Sequence, residues 1–333
     1  MSFGLSSVFR GLSLALALIA TAQAAELEPL VVAEPVHSTG YLPLYVAIHK
    51  GFFAQEGLAL KVVTIESGSG HTNAVLSGQA FAFIGGPEHN AYAKLKGAEL
   101  RTVVNVVDRG NVYLVAKKGT VPAGQDMSAF LKGKAVATGA VGGTPNSITR
   151  FLLDKWKIDA KKDVELLETT AAGGLAAMKA GRAQVIVATE PQITQGIRQG
   201  LFEEPFYNVP RELGPYAYST LNVRLESITK QPETVAKFVR AVMKGLQATY
   251  ANPAEAAEIA RKEFPTMPPE DLKATIDRSF KDEIWSRDGL VSQQAWTTSK
   301  SVVMDAGMLK QDVPYAGVID MQFVQKHVAV KQP

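Results

Sequence analysis

The sequence predicts an α/β protein of two lobes, each a mostly parallel sheet flanked by helices. Three observations support this prediction. Short apolar strands alternate with helical stretches of about ten residues, an order typical of parallel sheets. The helix–strand segment 74–84 recurs 103 residues later, at 177–187. The alternation breaks at 108–111 and again at 213–217, so we expect the chain to cross between the lobes twice.

The first 24 residues have the composition of a cleaved signal peptide. Arg10 supplies positive charge, and an apolar run and an Ala-Gln-Ala cleavage site follow it. We expect lobe 1 to comprise 25–108 and 216–333, with a helical C-terminal cap, and lobe 2 to comprise 109–215. A chain of 333 residues is long enough for two such domains.

Apolar runs, helical stripes and turn residues predict the elements in order. Gly51 stands where a helix should stop, and Thr144 with Pro145 fits a helix N-cap followed by its first residue. The elements predicted for lobe 1 are 30–33 (strand), 41–52 (helix), 60–65 (strand), 74–84 (helix–strand), 88–96 (helix) and 101–107 (strand). Those for lobe 2 are 112–116, 135–137 and 164–167 (strands), the helix opened by Thr144, and 177–187 (helix–strand). After the return crossing we expect a strand through Val223 and helices at 235–250, 253–263, 269–280 and 292–307, packed on lobe 1.

Composition and failed motifs exclude several functions. The net charge of +3 comes from scattered residues, which argues against a nucleic-acid surface. The absence of cysteine excludes cysteine nucleophiles, cysteine-ligated metals and a lipid-modified cysteine. The segment 142–145 lacks the P-loop lysine, and Asn73 stands where a dinucleotide fingerprint needs glycine. Since no nucleophile, base and orienting residue can be grouped, we predict that the protein is not an enzyme.

Residues 40–47, 50–53 and 56–58 resemble the opening helix of periplasmic solute-binding proteins of ABC importers. The branch is the one that takes nitrate, aliphatic sulfonates, taurine and thiamine-pyrimidine precursors. The junction 78–80 and the segment 189–191 also look like that family. The resemblance implies a type II periplasmic-binding fold, in which two crossing strands form a hinge and the lobes close on a ligand. It further implies a monomer in the periplasm with an inner-membrane permease as partner and no cofactor. The pyrimidine-making enzymes of this group carry a cysteine-rich motif, which this chain lacks.

Polar side chains surround the start of the repeated helix in lobe 1 and the helix start after 135–137 in lobe 2. They are Ser67, Ser69, His71, Thr72, Thr144 and Asn146. Backbone N–H groups and hydroxyls at a helix N-terminus suit a small oxyanion. Capping alone explains one hydroxyl per helix but not four polar groups in six residues, so we include all six among the ligand-binding candidates.

Four further candidates each have a structural alternative. Glu88 and Glu190 stand beside prolines at helix starts, where a carboxylate either favours the helix dipole or recognises an amine or ring N–H of the ligand. Arg109, at the first crossing, pairs either with a ligand anion or with an acid of the opposite lobe. Tyr41 either stacks on a ligand or packs in the core.

Three of the five histidines, His37, His71 and His89, fall in loops that we place at the rim of the cleft. We interpret His49 and His327 as exposed helix positions. The rim histidines could hold zinc, bond a ligand or do neither, but no ligand spacing supports zinc, and we predict no metal.

These observations together predict a receptor that captures a small organic anion such as an aliphatic sulfonate, because backbone and hydroxyl donors outnumber acids in the loops. The alternative ligand is a heteroaromatic vitamin precursor, such as a thiamine pyrimidine or a riboflavin-like molecule. A pyrimidine synthase-like enzyme of the same fold is the alternative function.

Overall fold

The computed structural model describes Met1 and residues 26–66, 68–120 and 126–330; the predicted signal peptide lies outside these residues. Ten strands form two five-stranded sheets in this part of the chain. The first sheet contains β1 (Glu28–Glu34), β2 (Leu58–Thr64), β3 (Ala82–Gly85), β4 (Leu100–Arg109) and β10 (Pro215–Arg224). The second contains β5 (Tyr113–Ala116), β6 (Ala135–Thr138), β7 (Glu165–Glu168), β8 (Val185–Ala188) and β9 (Tyr207–Asn208).

The two sheets have equivalent topologies. The strand order is β2-β1-β3-β10-β4 in the first and β7-β6-β8-β5-β9 in the second. In each sheet four strands run in one direction, and the fourth strand of the order, β10 or β5, runs in the opposite one. The predicted two-lobed α/β class with mostly parallel sheets is confirmed. We refer to the lobe around the first sheet as lobe 1 and to the lobe around the second as lobe 2.

Helices cover both sheets. Beside the first sheet lie α1 (Leu42–His49), α2 (Phe52–Gln55), α3 (Gly70–Leu76) and α4 (Glu88–Lys94). Beside the second lie α5 (Met127–Leu131), α6 (Thr144–Lys155), α7 (Ala171–Lys179), α8 (Gln192–Arg198) and α9 (Val209–Glu212). The C-terminal part contains α10 (Leu225–Lys230), α11 (Pro232–Ala251), α12 (Pro253–Glu263), α13 (Pro269–Lys281), α14 (Gln293–Asp305) and α15 (Gln322–Val330). No helix in the described residues is both long and apolar enough to cross a bilayer.

The internal repeat is present in the structure. The unit α3–β3 corresponds to α7–β8, and the strand bounds of the two units differ by 103 residues at both ends. The turn between helix and strand holds Gly78 at φ +79° in one unit and Gly181 at φ +73° in the other. A backbone with positive φ favours glycine, so both units need this residue at the same point. The repeat therefore places equivalent strands at the centre of both sheets.

Two adjacent segments connect the lobes. β4 leads through residues 110–112 to β5, and residues 213–214 lead back into β10. Pro215 pairs with Arg109 where the two segments pass each other. The predicted pair of crossing segments is thus found. β4 extends to Arg109, so the first crossing begins at residue 110 and not at 108 as predicted.

The C-terminal helices pack mainly on lobe 1, as expected, and two of them also contact lobe 2. Helices α11 and α12 pack on α1 and α14 packs on β10, while α13 packs on α8 and α14 also contacts α6. One local expectation is wrong. Gly143, not Thr144, occupies the N-cap of α6, and Thr144 is the first helical residue. Its hydroxyl donates a hydrogen bond to Glu88 and does not cap the helix.

We expect Gly245→Ala to destabilise the protein. Gly245 lies where α11 crosses α1, and an added Cβ would come 2.3 Å from the carbonyl oxygen of Pro43. Alanine usually stabilises a helix interior by about 1 kcal/mol relative to glycine. Here the helices must separate, so the free energy of unfolding should fall by about 1–3 kcal/mol in denaturant titrations. Glu258, which is exposed on α12, provides the control. There the Glu258→Ala variant should be more stable than the Glu258→Gly variant. A stabilised Gly245→Ala variant would contradict the close approach.

Candidate functional site

A cavity of about 470 Å³ lies between the two sheets. The loops that follow β1, β2 and β3 line it from lobe 1, and those that follow β6, β7 and β8 line it from lobe 2. In open α/β sheets, ligands bind outside the carboxyl ends of the strands, which is where these loops lie. The volume falls within the range of about 300–1,000 Å³ typical of small-molecule sites. We call it the central cavity.

Five of the twelve predicted ligand-binding residues line the central cavity: His37, Tyr41, His71, His89 and Thr144. Six others are absent from its wall: Ser69, Thr72, Glu88, Arg109, Asn146 and Glu190. Ser67 lies outside the described residues.

His71 and His89 lie inside the cavity wall, not at the rim where we expected them. His71 belongs to α3 and His89 to α4, and their side chains are 2% and 5% exposed. Their rings meet edge to face, with centroids 4.7 Å apart. Burial lowers the pKa of His71 to about 2 and that of His89 to about 4, so both imidazoles are neutral near pH 7. Neither ring nitrogen of His71 has a partner among the described residues.

His37 is held by Glu34, a buried carboxylate that is not among the residues predicted from the sequence. Glu34 ends β1 and accepts hydrogen bonds from the hydroxyls of Tyr45 at 2.6 Å and Thr64 at 2.7 Å. Its Oε1 lies 3.0 Å from Nδ1 of His37, and this hydrogen bond raises the pKa of His37. Through this contact with His37, Glu34 holds one side chain of the loop 35–38, which lines the cavity.

Glu88 lies behind the wall and joins the lobes. The hydroxyl of Thr144 donates to its Oε1 at 2.5 Å, and Ser299 lies 3.4 Å from its Oε2. Burial raises the pKa of Glu88 to about 7. Thr144 therefore both lines the cavity and bonds a carboxylate of the opposite lobe.

Glu190 also has its partners inside the protein. Its carboxylate accepts from the backbone N–H and the hydroxyl of Thr194, and it pairs with Arg278 of α13 at 2.7 Å. Burial raises the pKa of Glu190 even though Arg278 opposes the shift. Arg278 in turn reaches Glu204 at 2.8 Å. This charged contact fastens the C-terminal helices to lobe 2 at the flank of the cavity.

The four remaining candidates do not line the cavity. Asn146 donates to Gly139 and Glu168 and accepts from Arg150, so its amide is paired within lobe 2. Arg109 lies beside Asp108 on the first crossing. Ser69 occupies the N-cap of α3 without making a side-chain cap. The hydroxyl of Thr72 is buried and has no partner in the described part of the chain.

The wall of the central cavity carries almost no formal charge. Among the described residues it includes no lysine or arginine, and Glu66 is its single acid. Small residues, hydroxyls and helix starts make up much of the rest, with Tyr41 and Tyr218 as the large aromatic rings. No group of three or more residues able to hold a metal ion occurs in the described ranges.

Several wall residues were missed, although the repeat could have identified them. Adding 103 to His89 gives Gln192, and adding 103 to His71 gives Gly174. Glu66 corresponds in the same way to Thr169, and all of these residues line the cavity. The two repeat units thus face each other across the cavity with equivalent positions.

The lobes are in contact around the cavity in this structure. A Cβ on Gly68 would come 2.4 Å from the carbonyl oxygen of Val141 in the opposite lobe. With the Glu88–Thr144 hydrogen bond and the packing of α14 on α6, this approach defines a closed conformation.

Comparison with known proteins identifies the family of the chain and agrees with its fold. The model of the family described as NMT1/THI5 like matches residues 38–256. YtlA of Bacillus subtilis is 28% identical over 320 residues, covering 95% of this chain and 94% of YtlA. The riboflavin-binding protein RibY of Chloroflexus aurantiacus is 26% identical over 301 residues, covering 85% and 82% of the two chains. The resemblance inferred from residues 40–58 is confirmed.

A solved structure shows the same fold. The alkanesulfonate-binding protein SsuA of Xanthomonas axonopodis pv. citri, bound to MOPS, superposes with a TM-score of 0.71 at 16% identity. The match covers 89% of this chain and 99% of SsuA.

We expect His71 to make the protein sensitive to acid. The unfolded chain binds a proton on His71 below its ordinary pKa of 6.5, whereas the folded protein binds it only near pH 2. The stabilisation is present above pH 6.5 and is lost as the pH falls, because the unfolded state then binds more protons. Between pH 6.5 and 4.5 the difference in unfolding free energy between wild type and His71→Phe should change by about 2 kcal/mol. Urea titrations at several pH values measure it, and parallel curves for the two proteins would refute the neutral buried imidazole.

We expect Arg278→Met to be strongly destabilising, because it leaves Glu190 buried without a cation. Removing one partner of a buried ion pair costs about 3–5 kcal/mol. The double variant Arg278→Met with Glu190→Gln removes the stranded charge and should recover most of the loss in thermal and denaturant melts. Equal destabilisation of the single and double variants would show that the charge of Glu190 is unimportant.

Proposed function

The chain belongs to the NMT1/THI5-like family, and from this premise we propose that it is a periplasmic receptor that delivers a small solute to an ABC importer. The proposed domains are a signal peptide at 1–24, lobe 1 at 25–108 and 216–333, and lobe 2 at 109–215. The receptor acts as a monomer, without a cofactor and without catalysis, and its partner is the permease in the inner membrane. The central cavity between two hinged lobes supports this proposal, because it gives each lobe one half of a binding site.

For the ligand, we propose an uncharged heteroaromatic molecule with hydrogen-bonding ring atoms. The observation that carries this choice is the unpartnered ring of His71 in a cavity whose described wall has no lysine or arginine. A neutral imidazole offers one donor and one acceptor. A ring that carries both an N–H and a carbonyl or imine nitrogen can satisfy both, with Tyr41 and Tyr218 beside it for aromatic contact. The similarity to a riboflavin-binding protein is consistent with this class.

The cost of desolvating an anion exceeds what a helix N-terminus returns, which favours a neutral ligand. An ion moved from water into a protein interior without a counter-charge loses several kcal/mol of solvation. A helix N-terminus returns about 0.3–2 kcal/mol to an anion. Glu66 on the wall adds repulsion.

An aliphatic sulfonate is the second candidate, and the start of α6 favours it. This helix of 12 residues has Gly143 as its N-cap and no side-chain cap, and Gly143 and Thr144 line the cavity. The backbone N–H of Thr144 can donate to a sulfonate oxygen, whereas Pro145 has no N–H and the N–H groups of Asn146 and Ser147 bond to the carbonyl of Gly143. The superposition with an alkanesulfonate-binding protein is consistent with such a ligand.

A direct test compares neutral and anionic probes. Riboflavin and an aminopyrimidine represent the first class, and ethanesulfonate, MOPS and nitrate the second. The mature protein is screened by thermal shift, where a ligand at 100 times its Kd adds about 2.7 kcal/mol. We expect a member of the first class to raise the Tm and to bind in titration calorimetry. Binding of the sulfonates alone would favour the second candidate, and binding of neither class would refute both.

The variant His71→Phe tests whether the ligand contacts His71. It keeps an aromatic ring but removes both nitrogens, so the affinity for the bound heteroaromatic should fall by about 3–10-fold, as expected for a lost neutral hydrogen bond. His49→Phe, on the exposed face of α1, is the matched control and should retain full affinity. Equal affinity of the two variants would place the ligand away from His71.

A further inference from the structure

Glu88 is a buried carboxylate at the place where the lobes meet. Its side chain is 1% exposed and folds back over Gly86, where a Cβ would lie only 1.9 Å from the carboxylate. Glycine at position 86 is therefore what leaves room for it. Among the described residues of lobe 2, the one hydrogen-bond partner of Glu88 is the hydroxyl of Thr144, at 2.5 Å.

The groups that face Glu88 carry no compensating charge. Helix α6 brings Thr144, and α14 brings Ser299, followed by Lys300, which pairs with Asp312 instead. The titratable groups that face it from its own helix and from β10 are Tyr92, Tyr216 and Tyr218, and His89 is the next residue of its helix. Burial lowers the pKa of His89 and raises the pKa of each tyrosine, so these groups are neutral near pH 7. Within the described residues Glu88 forms no ion pair.

We propose that Glu88 is a positioning residue that holds the lobes closed in its protonated form and releases them when it ionises. Oε1 accepts the hydrogen bond from Thr144, and a proton on Oε2 faces Ser299 Oγ at 3.4 Å. Opening the cleft removes Thr144 and admits water to the carboxyl group. Closing therefore takes up one proton from solvent. The inference rests on the hinged closure of the proposed function, and it adds a coupling between closure and pH.

The direction of the coupling follows from the two states. In water the pKa of Glu88 is near 4.5, and in the closed structure burial raises it to about 7. Between these values the closed state binds more protons than the open state, so closure weakens as the pH rises and changes little above pH 7. From pH 5.5 to pH 8 the ratio of closed to open protein should fall by about 10–30-fold.

Distance measurements between spin labels test the proposal without a ligand. The chain contains no cysteine, so Lys61→Cys in lobe 1 and Lys161→Cys in lobe 2, both exposed, give a clean labelled pair. We expect the short-distance population to fall from pH 5.5 to pH 8. In Glu88→Gln, which accepts from Thr144 but cannot ionise, the distribution should be the same at both pH values. A pH response of equal size in Glu88→Gln, or no response in the parent pair, would overturn the proposal.

A second pair of variants separates this inference from the function itself. Thr144→Val removes the hydroxyl at nearly constant shape and should populate the long distance at pH 5.5, whereas Thr144→Ser keeps the donor and should not. A distance that shifts with Thr144→Val but not with pH would overturn the protonation and leave the hinge intact. A single distance under every condition would contradict the hinge, and with it the proposed receptor.

Discussion

The hydrogen bond from Thr144 to Glu88 joins the two lobes at a point where burial is not offset by a cation. Polar groups buried without a charged partner also occur on the wall of the central cavity, where His71 and His89 are buried and neutral. Formal charges at the interface are displaced to the flank, where Arg278 pairs with Glu190. A buried charge is tolerated only with a partner, so the ion pair lies at the flank and the centre of the interface is built from neutral groups. The wall of the central cavity correspondingly carries little formal charge.

The main outline of the fold could be predicted because it depends on local signals that recur. Apolar runs predicted the core strands. The repeat predicted β3 and β8 with the same offset of 103 residues that the two strands show in the structure. Gly78 and Gly181 mark the repeat because the backbone needs positive φ there, which few other residues supply at low cost. Short elements such as α10 and β9 were missed, since they carry too few residues to show a period.

The site was less predictable than the fold because a helix start gives position along the axis but not direction around it. Successive side chains in a helix point about 100° apart, so neighbours in sequence face different surroundings. Glu88 turns toward Thr144 while His89 faces the cavity. Glu34 was overlooked for another reason. Its partners Tyr45 and Thr64 come from other elements, and nothing in the local sequence of β1 indicates that a carboxylate there would be fully bonded.

Charge placement also constrains how ligand and closure affect each other. Gly86 lines the cavity and separates it from the carboxyl group of Glu88, so an anionic ligand at this wall would lie close to that group. A neutral ligand is insensitive to the ionisation of Glu88 except through closure, whereas an anion would also be repelled once Glu88 ionises. At the short distances involved the repulsion is only weakly screened by salt, because the site is buried. A cavity wall without lysine or arginine among the described residues and a nearby carboxyl group whose pKa burial raises to about 7 both favour a ligand without formal negative charge.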